Sequence, residues 1–354
     1  MWDYTKEYEV AICFDLDSEI ENIEPYGEGH INSTFLITTK NNKYILQKIN
    51  TNVFKKPGDV MQNIFYVTNH LRKRGEQTLN VVKTKTGALM KESRGNHYRM
   101  YDFIDRSISY QIADDREVFC NVGEAFGHFQ SCLADFDASV LNETIARFHD
   151  TPNRFSDFLK ALDENASGRK DTCQEEIDFL LARKDTFSKV VDGIKSGEIP
   201  VRVTHNDTKL NNILMDPETK KAIAVIDLDT VMPGSMLYDY GDAMRFGTNT
   251  AAEDEKDLDK VHFDLELFRA FSKGFCGAVG KDMTEMEKEL LPYSAYLMTM
   301  ECGMRFLGDY LAGDVYFNTH YPEHNLVRCR TQFKLASEME KSMDEMKAIV
   351  NEYL

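Results

Sequence analysis

The stretch "RVTHNDTKLNNILMD" (202–216), read together with "VIDLDT" (225–230), decides how this chain folds. The first sets a His, two Asp, three Asn and a Lys among apolar residues, and the second carries two acids in an otherwise apolar run. Clusters of Asp and Asn often do no more than punctuate a turn. Here the spacing is His205-x-Asp207-x-Lys209-x-x-Asn212, and "AIAVID" (222–227) reads as a strand ending at Asp227. An ionised group that ends a buried strand is costly unless it is paired or bound to a metal. Phosphoryl transfer needs a carboxylate to orient a hydroxyl, side-chain oxygens for a metal, and a cation for the moving group. Asp207 is placed for the first task, Asn212 and Asp227 for the second, and Lys209 for the third.

Working outward, residues 22–50 read as a small antiparallel sheet. "NIEPYGEGHINSTFLIT" gives strand, Gly-containing turn and strand, and "KYILQKI" (43–49) gives a third strand after the turn signal "KNNK". A helix is expected over 57–75, opened by Pro57 and closed by Gly75. "TLNVVKTKTGALMKES" and "NHYRMYDFI" (96–104) supply two or three more strands. Beyond about 115 the pattern turns helical, first in "REVFCNVGEAFGHFQSCLADF", with Val118, Val122, Phe126 and Phe129 on one stripe. Further helices are expected at about 153–166, 173–196, 262–280, 284–312 and 332–353, with a β-rich island at 200–231 between them. The fold class is α+β, two-lobed: a β-rich N-terminal lobe (1–104), a joint near 101–108, and a larger helical lobe (105–354).

Composition narrows the function. The 354 residues are 42% hydrophobic and carry a formal net charge of −17. A sizeable core is available, while nucleic acid and anionic membrane surfaces are poor partners for so acidic a chain. A bound polyanion such as ATP would need local groups and a cation to neutralise it. The seven Cys are scattered, with no C-x-x-C pair, which reads as reduced thiols in a cytoplasmic protein. "MWDYTKEYEV" has no basic start and no apolar core, so no signal peptide is expected. No apolar run approaches the ~20 residues of a membrane span. A monomer acting on a small molecule is the expectation.

The chain resembles the aminoglycoside phosphotransferase/choline kinase-type family, a branch of the protein-kinase-like fold, and more closely the bacterial N-acetylhexosamine 1-kinases. The stretches that carry the likeness are "IEPYGEGHINSTFLIT", "YILQKIN", "ETIARFHDTPNRF", "PVRVTHNDTKLNNILMD", "IDLDTVMPGSMLYDYGDAMRFG", "TMECGMRFLGDY" and "YPEHNLVRCRTQ", which run from residue 23 to about 332. The resemblance implies an ATP- and Mg²⁺-dependent kinase that phosphorylates the C1 hydroxyl of an N-acetylhexosamine in amino-sugar salvage. It implies Asp207 as base, Asn212 and Asp227 as metal holders, Asp229 near the sugar, and Asp239 as the acid that props the catalytic loop. His205 is expected to brace that loop rather than carry a proton. The same fold also serves choline, homoserine, methylthiosugar and aminoglycoside acceptors, and a nucleotide-binding pseudokinase is the non-enzymatic alternative.

On the nucleotide side, Gly27 and Gly29 in "GEG" make either a plain hairpin turn or, in the kinase-like setting, a loop over the phosphates. Alternation puts Ile45, Gln47 and Ile49 on one face of the third strand and Tyr44, Leu46 and Lys48 on the other. The position where kinases carry a strand lysine is therefore Gln47, and the following helix has Phe65 in its middle and no obvious Glu to pair with one. "MYDFID" (100–105), with Tyr101 and Phe103, is the expected hinge beside adenine. On the acceptor side, His30 and Asn32 follow the Gly loop, and Tyr316 follows a helix that ends near Gly313. Arg305 lies one helical turn from Glu301, so the two are candidates for an ion pair. In the resembled family an Arg and a Tyr in these stretches contact the sugar. "RFHDTPNRF" (147–155) matches too, without an assignable chemistry.

Overall fold

The computed structural model describes residues 4–27, 32–112 and 115–354. A short helix α1 (Thr5–Ala11) precedes a five-stranded antiparallel sheet, β1 (Ile20–Pro25), β2 (Ser33–Thr39), β3 (Lys43–Ile49), β4 (Lys91–Ser93) and β5 (Asn96–Asp102), in the order β1-β2-β3-β5-β4. One face packs Tyr44, Leu46, Tyr98 and Met100 under α1. The other turns Ile45, Ile49 and Tyr101 toward helix α2 (Pro57–Lys73) and toward Val203, Leu228 and Val231 of the second lobe. The alternation read from β3 is thus the one the sheet uses. Pro57 sits in the first turn of α2, and Gly75 takes a φ of 86° just past its end. Between α2 and β5 only the three-residue β4 is a strand. Val81 and Thr84 make isolated bridges instead, because Thr84 folds back on Ala88 in a tight turn.

The second lobe begins with α3 (Arg116–Cys132), capped by the Asp115 carboxylate, and α4 (Thr151–Glu164). The single helix expected over 173–196 is broken into α5 (Gln174–Leu181) and α6 (Lys189–Ser196). Arg183 turns back onto the Phe179 carbonyl at 2.9 Å and the Thr186 hydroxyl onto Arg183, which tightens the joint into a 3-10 turn. Then come β6 (Arg202–Thr204), β7 (Ile213–Met215), β8 (Ala222–Val225), β9 (Met232–Gly234) and α7 (Met236–Gly247). The lobe closes with α8 (Leu265–Val279), α9 (Glu285–Ala312), α10 (His324–Lys341) and α11 (Met343–Tyr353). The expected 332–353 helix starts earlier and bends at Ser342 between α10 and α11. Among the described residues, no helix is long and apolar enough to cross a membrane.

The core of this lobe surrounds α9, whose apolar residues are buried almost all the way round. Its start is a capping box, Thr284 with Glu287, and Glu287 also takes the Arg202 guanidinium on both oxygens at 2.7 Å. The strand leading into the opening motif is thereby fastened to the central helix. Helices α3 and α8 cross backbone to backbone. A Cβ on Gly274 would lie 2.0 Å from the Cys120 carbonyl oxygen, so only glycine permits the approach.

Candidate active site

Two small antiparallel pairings assemble the site: β6 with β9 and β7 with β8. Together they lay the loop 205–212 beside the turn 226–231. His205 is fully buried between Phe126 and Phe129, and its Nε2 meets the Ile226 carbonyl at 2.9 Å. The Thr230 hydroxyl donates to the His205 carbonyl at 2.7 Å, and the Asn206 amide donates to the Thr230 carbonyl at 2.9 Å. Asn206 holds a φ of 65°, a conformation Asn tolerates better than most residues. His205 and Asn206, the latter without a role from sequence, thus both tie the loop to the acidic turn.

Asp239, buried on α7, accepts from the backbone N–H groups of His205 (2.9 Å) and Asn206 (2.7 Å) and from the Gln130 amide (2.7 Å). Burial pushes its carboxyl up, and these donors work against that. One turn on, Asp242 accepts from Thr208 N–H at 3.1 Å and from Arg245. Burial works to raise Asp242 too, but the charges of Arg245 and Lys209 hold it below its ordinary value. Sequence reading reached Asp239 and missed Asp242, although both acids lie in "YDYGDAMR" on one helical face. Asp239→Ala should leave buried donors unpaired, each at about 1–3 kcal/mol. The urea midpoint should fall well below that of the wild type, and Asp239→Asn should fall less.

Within the loop, Lys209 Nζ meets Asp207 at 2.8 Å, and the Asn212 amide donates to the Asp207 carbonyl (2.8 Å) and carboxylate (3.2 Å). Burial would lower the Lys209 ammonium, but Asp207 outweighs it and holds the group above its ordinary value. The Asn212 amide nitrogen is thus committed, while its side-chain oxygen meets no donor among the described residues. Strand β8 stops at Val225, short of the expected end at Asp227: the Ile226 N–H still meets the Asn212 carbonyl opposite it, but Asn212 belongs to the 3-10 turn 210–212 and Asp227 turns left-handed, with φ 56°. Asp227 is reached by solvent through the cleft yet ringed by protein. That enclosure, with the charges of Asp229 and Asp207, pushes its carboxyl up to about 7. No protein donor meets its carboxylate among the described residues. Two oxygen donors, one of them an acid with no direct ion-pair partner among the described residues, fit a hard divalent cation such as Mg²⁺.

The nucleotide side holds the largest departure from the sequence reading. Gln47 is placed as expected, on the face turned to the second lobe, but its amide is not free. It donates to the Thr34 hydroxyl at 3.1 Å and accepts from Arg99 Nε at 3.0 Å. Arg99 is the residue paired with Gln47 across β3 and β5, and it is only 1% exposed. Its Nη1 forms an ion pair with Asp229, whose other oxygen accepts from the Asn32 amide at 2.7 Å. Asp229 is thus buried and clamped from the sheet. The missed signal was an Arg in the apolar half of "NHYRMYDFI". Midway along α2, where a Glu was sought, Asn63 is fully buried and donates to the carbonyls of Val231 and Asn142 at 2.8 Å, fixing that helix to the strand after the acidic turn. Tyr101 lies between Ile45 and Val81, with its ring in the core below the Arg99 guanidinium, so its backbone and ring are taken up by the sheet. Phe103, past the strand end and half-buried, packs edge-on to Tyr26. Gly27, with φ 73°, ends the described part of the Gly loop, and Gly29 and His30 lie outside the described residues.

The Glu301–Arg305 ion pair, one of the two alternatives that helical spacing left open for Arg305, does not form. Glu301 is buried and takes His149 Nδ1 at 2.7 Å and the Thr151 hydroxyl at 2.5 Å. Those partners come from "RFHDTPNRF", which now has a role. Arg305 instead lies among the rings of Phe148 (5.6 Å), Tyr316 (5.9 Å) and Phe317 (5.4 Å). Tyr316 is 65% exposed, so it is no core aromatic, and its N–H is fixed by the Asp309 carboxylate at 2.8 Å. His149 also packs on Tyr238 of α7, which links this aromatic wall to the helix bearing Asp239 and Asp242.

A small antiparallel lobe over a helical lobe, with the acidic loop and turn between, is the fold of kinase-like phosphotransferases. The model of the family described as the phosphotransferase enzyme family, APH, matches residues 22–271, and the chain belongs to that family. The fold is also that of a microcompartment-associated aminopropanol kinase, with 13% identity, 98% of this chain and 99% of that one covered, and a TM-score of 0.61. An amicoumacin kinase solved with AMP-PNP, Ca²⁺ and Ami is similar at 13% identity, covering 94% and 93%, with a TM-score of 0.63. A choline kinase from Cryptosporidium parvum matches at 13% identity over 94% and 92%, with a TM-score of 0.54.

Proposed function

We propose that this protein is an ATP- and Mg²⁺-dependent kinase that phosphorylates the anomeric C1 hydroxyl of an N-acetylhexosamine, N-acetylglucosamine or N-acetylgalactosamine. The observation that carries the kinase reading is the convergence of Asp207, Asn212 and Asp227 from two separate segments onto one braced cleft. Asp207 orients the acceptor hydroxyl and takes its proton. An anomeric hydroxyl is more acidic than an ordinary alcohol, so one aspartate is a sufficient activator. Asn212 and Asp227 would hold Mg²⁺, which supplies charge neutralisation at the transferring phosphoryl group. Lys209, released from Asp207 as the substrates enter, meets the same developing charge. Phe103 and the chain beyond it would border adenine, and the boundary near residue 104 would be the hinge between lobes. The enzyme would act as a cytoplasmic monomer on a small sugar, in amino-sugar salvage, with no nucleic acid or membrane partner.

The sugar reading is supported by the resemblance and by the exposed Tyr316 ring beside Arg305. An aromatic face suits the C–H face of a pyranose, and a guanidinium suits an acetamide carbonyl. A panel of acceptors with labelled ATP tests it: both N-acetylhexosamines against choline, homoserine, a methylthiosugar and an aminoglycoside. Label should enter the N-acetylhexosamines as an acid-labile 1-phosphate. Label on another alcohol alone would refute the sugar assignment and leave the kinase reading standing. Arg305→Lys should raise the KM for the sugar by about tenfold with little change in that for ATP, since a point ammonium does not replace a planar fork.

A further inference from the structure

The nucleotide needs a cation that β3 does not supply. Gln47 is neutral, Lys48 faces the opposite side of the sheet with Tyr44 and Leu46, and Lys209, on the catalytic loop beside Asp207, is given to the moving phosphoryl group. Arg99 reaches the same place from the neighbouring strand. It stands opposite Gln47 in the β3–β5 register, on the face turned to the second lobe, and it pairs with Asp229, two residues past Asp227. Its guanidinium is held on two sides. Nε donates to Gln47, whose amide orientation is set by Thr34, and Nη1 is held by Asp229, which Asn32 holds in turn. Among the described residues Nη2 has no partner.

A buried guanidinium fixed through two nitrogens with the third left over is a prepared oxyanion donor. A bare pair with Asp229 would need no second anchor on Gln47. We propose that Arg99 is the phosphate-binding cation of this enzyme. In this role Gln47 and Asp229 form a two-sided cradle, and Nη2 serves an oxygen of the nucleotide polyphosphate. Gln47 is then not a weakened lysine but the positioning residue of the cation that replaced it. The arrangement also couples closure of the lobes to nucleotide binding, because the cation belongs to the sheet and its anchor to the acidic turn.

This inference rests on the kinase reading, and calorimetry on the full chain separates the two. Wild type should bind Mg·ATP, and failure to do so would remove the kinase reading and this one with it. Arg99→Gln should weaken Mg·ATP by at least about tenfold while adenosine, which lacks the phosphates, binds within about twofold of wild type. Arg99→Lys should recover part of the loss. Because Arg99→Gln leaves Asp229 buried and unpaired, the isosteric pair R99Q/D229N removes both charges. If Arg99 serves the phosphates, the double variant melts near wild type yet still binds Mg·ATP weakly. Recovery of wild-type Mg·ATP affinity in the double variant would show a mere internal ion pair and overturn the proposal. Equal loss of adenosine and ATP in Arg99→Gln would overturn it as well.

Discussion

Asp207→Asn is expected to lower turnover by about a thousandfold, in the middle of the range for removing a positioned general base. Affinity for Mg·ATP should stay within about twofold of wild type. The substitution keeps the shape of the side chain and leaves the Asp207 backbone carbonyl to receive the Asn212 amide at 2.8 Å, so the loop should hold. What changes is chemical. The hydroxyl loses its proton acceptor, and Lys209 loses the charge it meets at 2.8 Å. Single-turnover rates together with equilibrium nucleotide binding separate the two effects. Retention of most activity would take Asp207 out of the base role, and a parallel loss of nucleotide affinity would make it part of the metal site instead.

The second large effect is expected at Asp227. Asp227→Ala should weaken Mg²⁺-dependent nucleotide binding by at least about tenfold and reduce turnover further, while metal-free binding changes little. The backbone here is left-handed, so Ala adds a conformational cost of about 1 kcal/mol. Asp227→Asn tolerates that conformation and separates strain from lost charge. The wild type carries a related pH signature. With the Asp227 carboxyl pushed up to about 7, the folded protein holds a proton that the unfolded chain releases near the ordinary carboxylate value. The group therefore favours the metal-free fold at low pH, and that contribution is lost as pH rises through about 7. The cation must displace the same proton, so apparent Mg²⁺ affinity should rise about tenfold per pH unit up to about 7 and then level off. A flat profile over pH 5–8 would remove Asp227 as the titrating ligand.

The sequence by itself determined the class of fold and singled out Asp207, Lys209, Asn212 and Asp227, because their juxtaposition depends on local spacing, whereas Asp239 came only from the family resemblance. A five-residue interval returns Asn212 onto Asp207, and an acid just past a short strand arrives beside it, whichever residue ends the ladder. The face assignment of Gln47 was equally local, since alternation along a strand needs no knowledge of neighbours. Only the tertiary structure decided which residue carries the charge in that region. Arg99 lies 52 residues from Gln47, and Asp229 is 130 residues beyond Arg99, so strand register and lobe packing alone bring them together. The same physics redirected Glu301. Helical spacing offered Arg305, one turn away and half-buried, as its partner, but a buried carboxylate has two oxygens to satisfy. His149 and Thr151 met that need from 152 and 150 residues earlier in the chain and left Arg305 among aromatic rings. Period and spacing are properties of one segment. The partner of a buried charge is chosen by whatever else the fold brings within hydrogen-bond reach, because leaving it unpaired costs more than any local preference can offset.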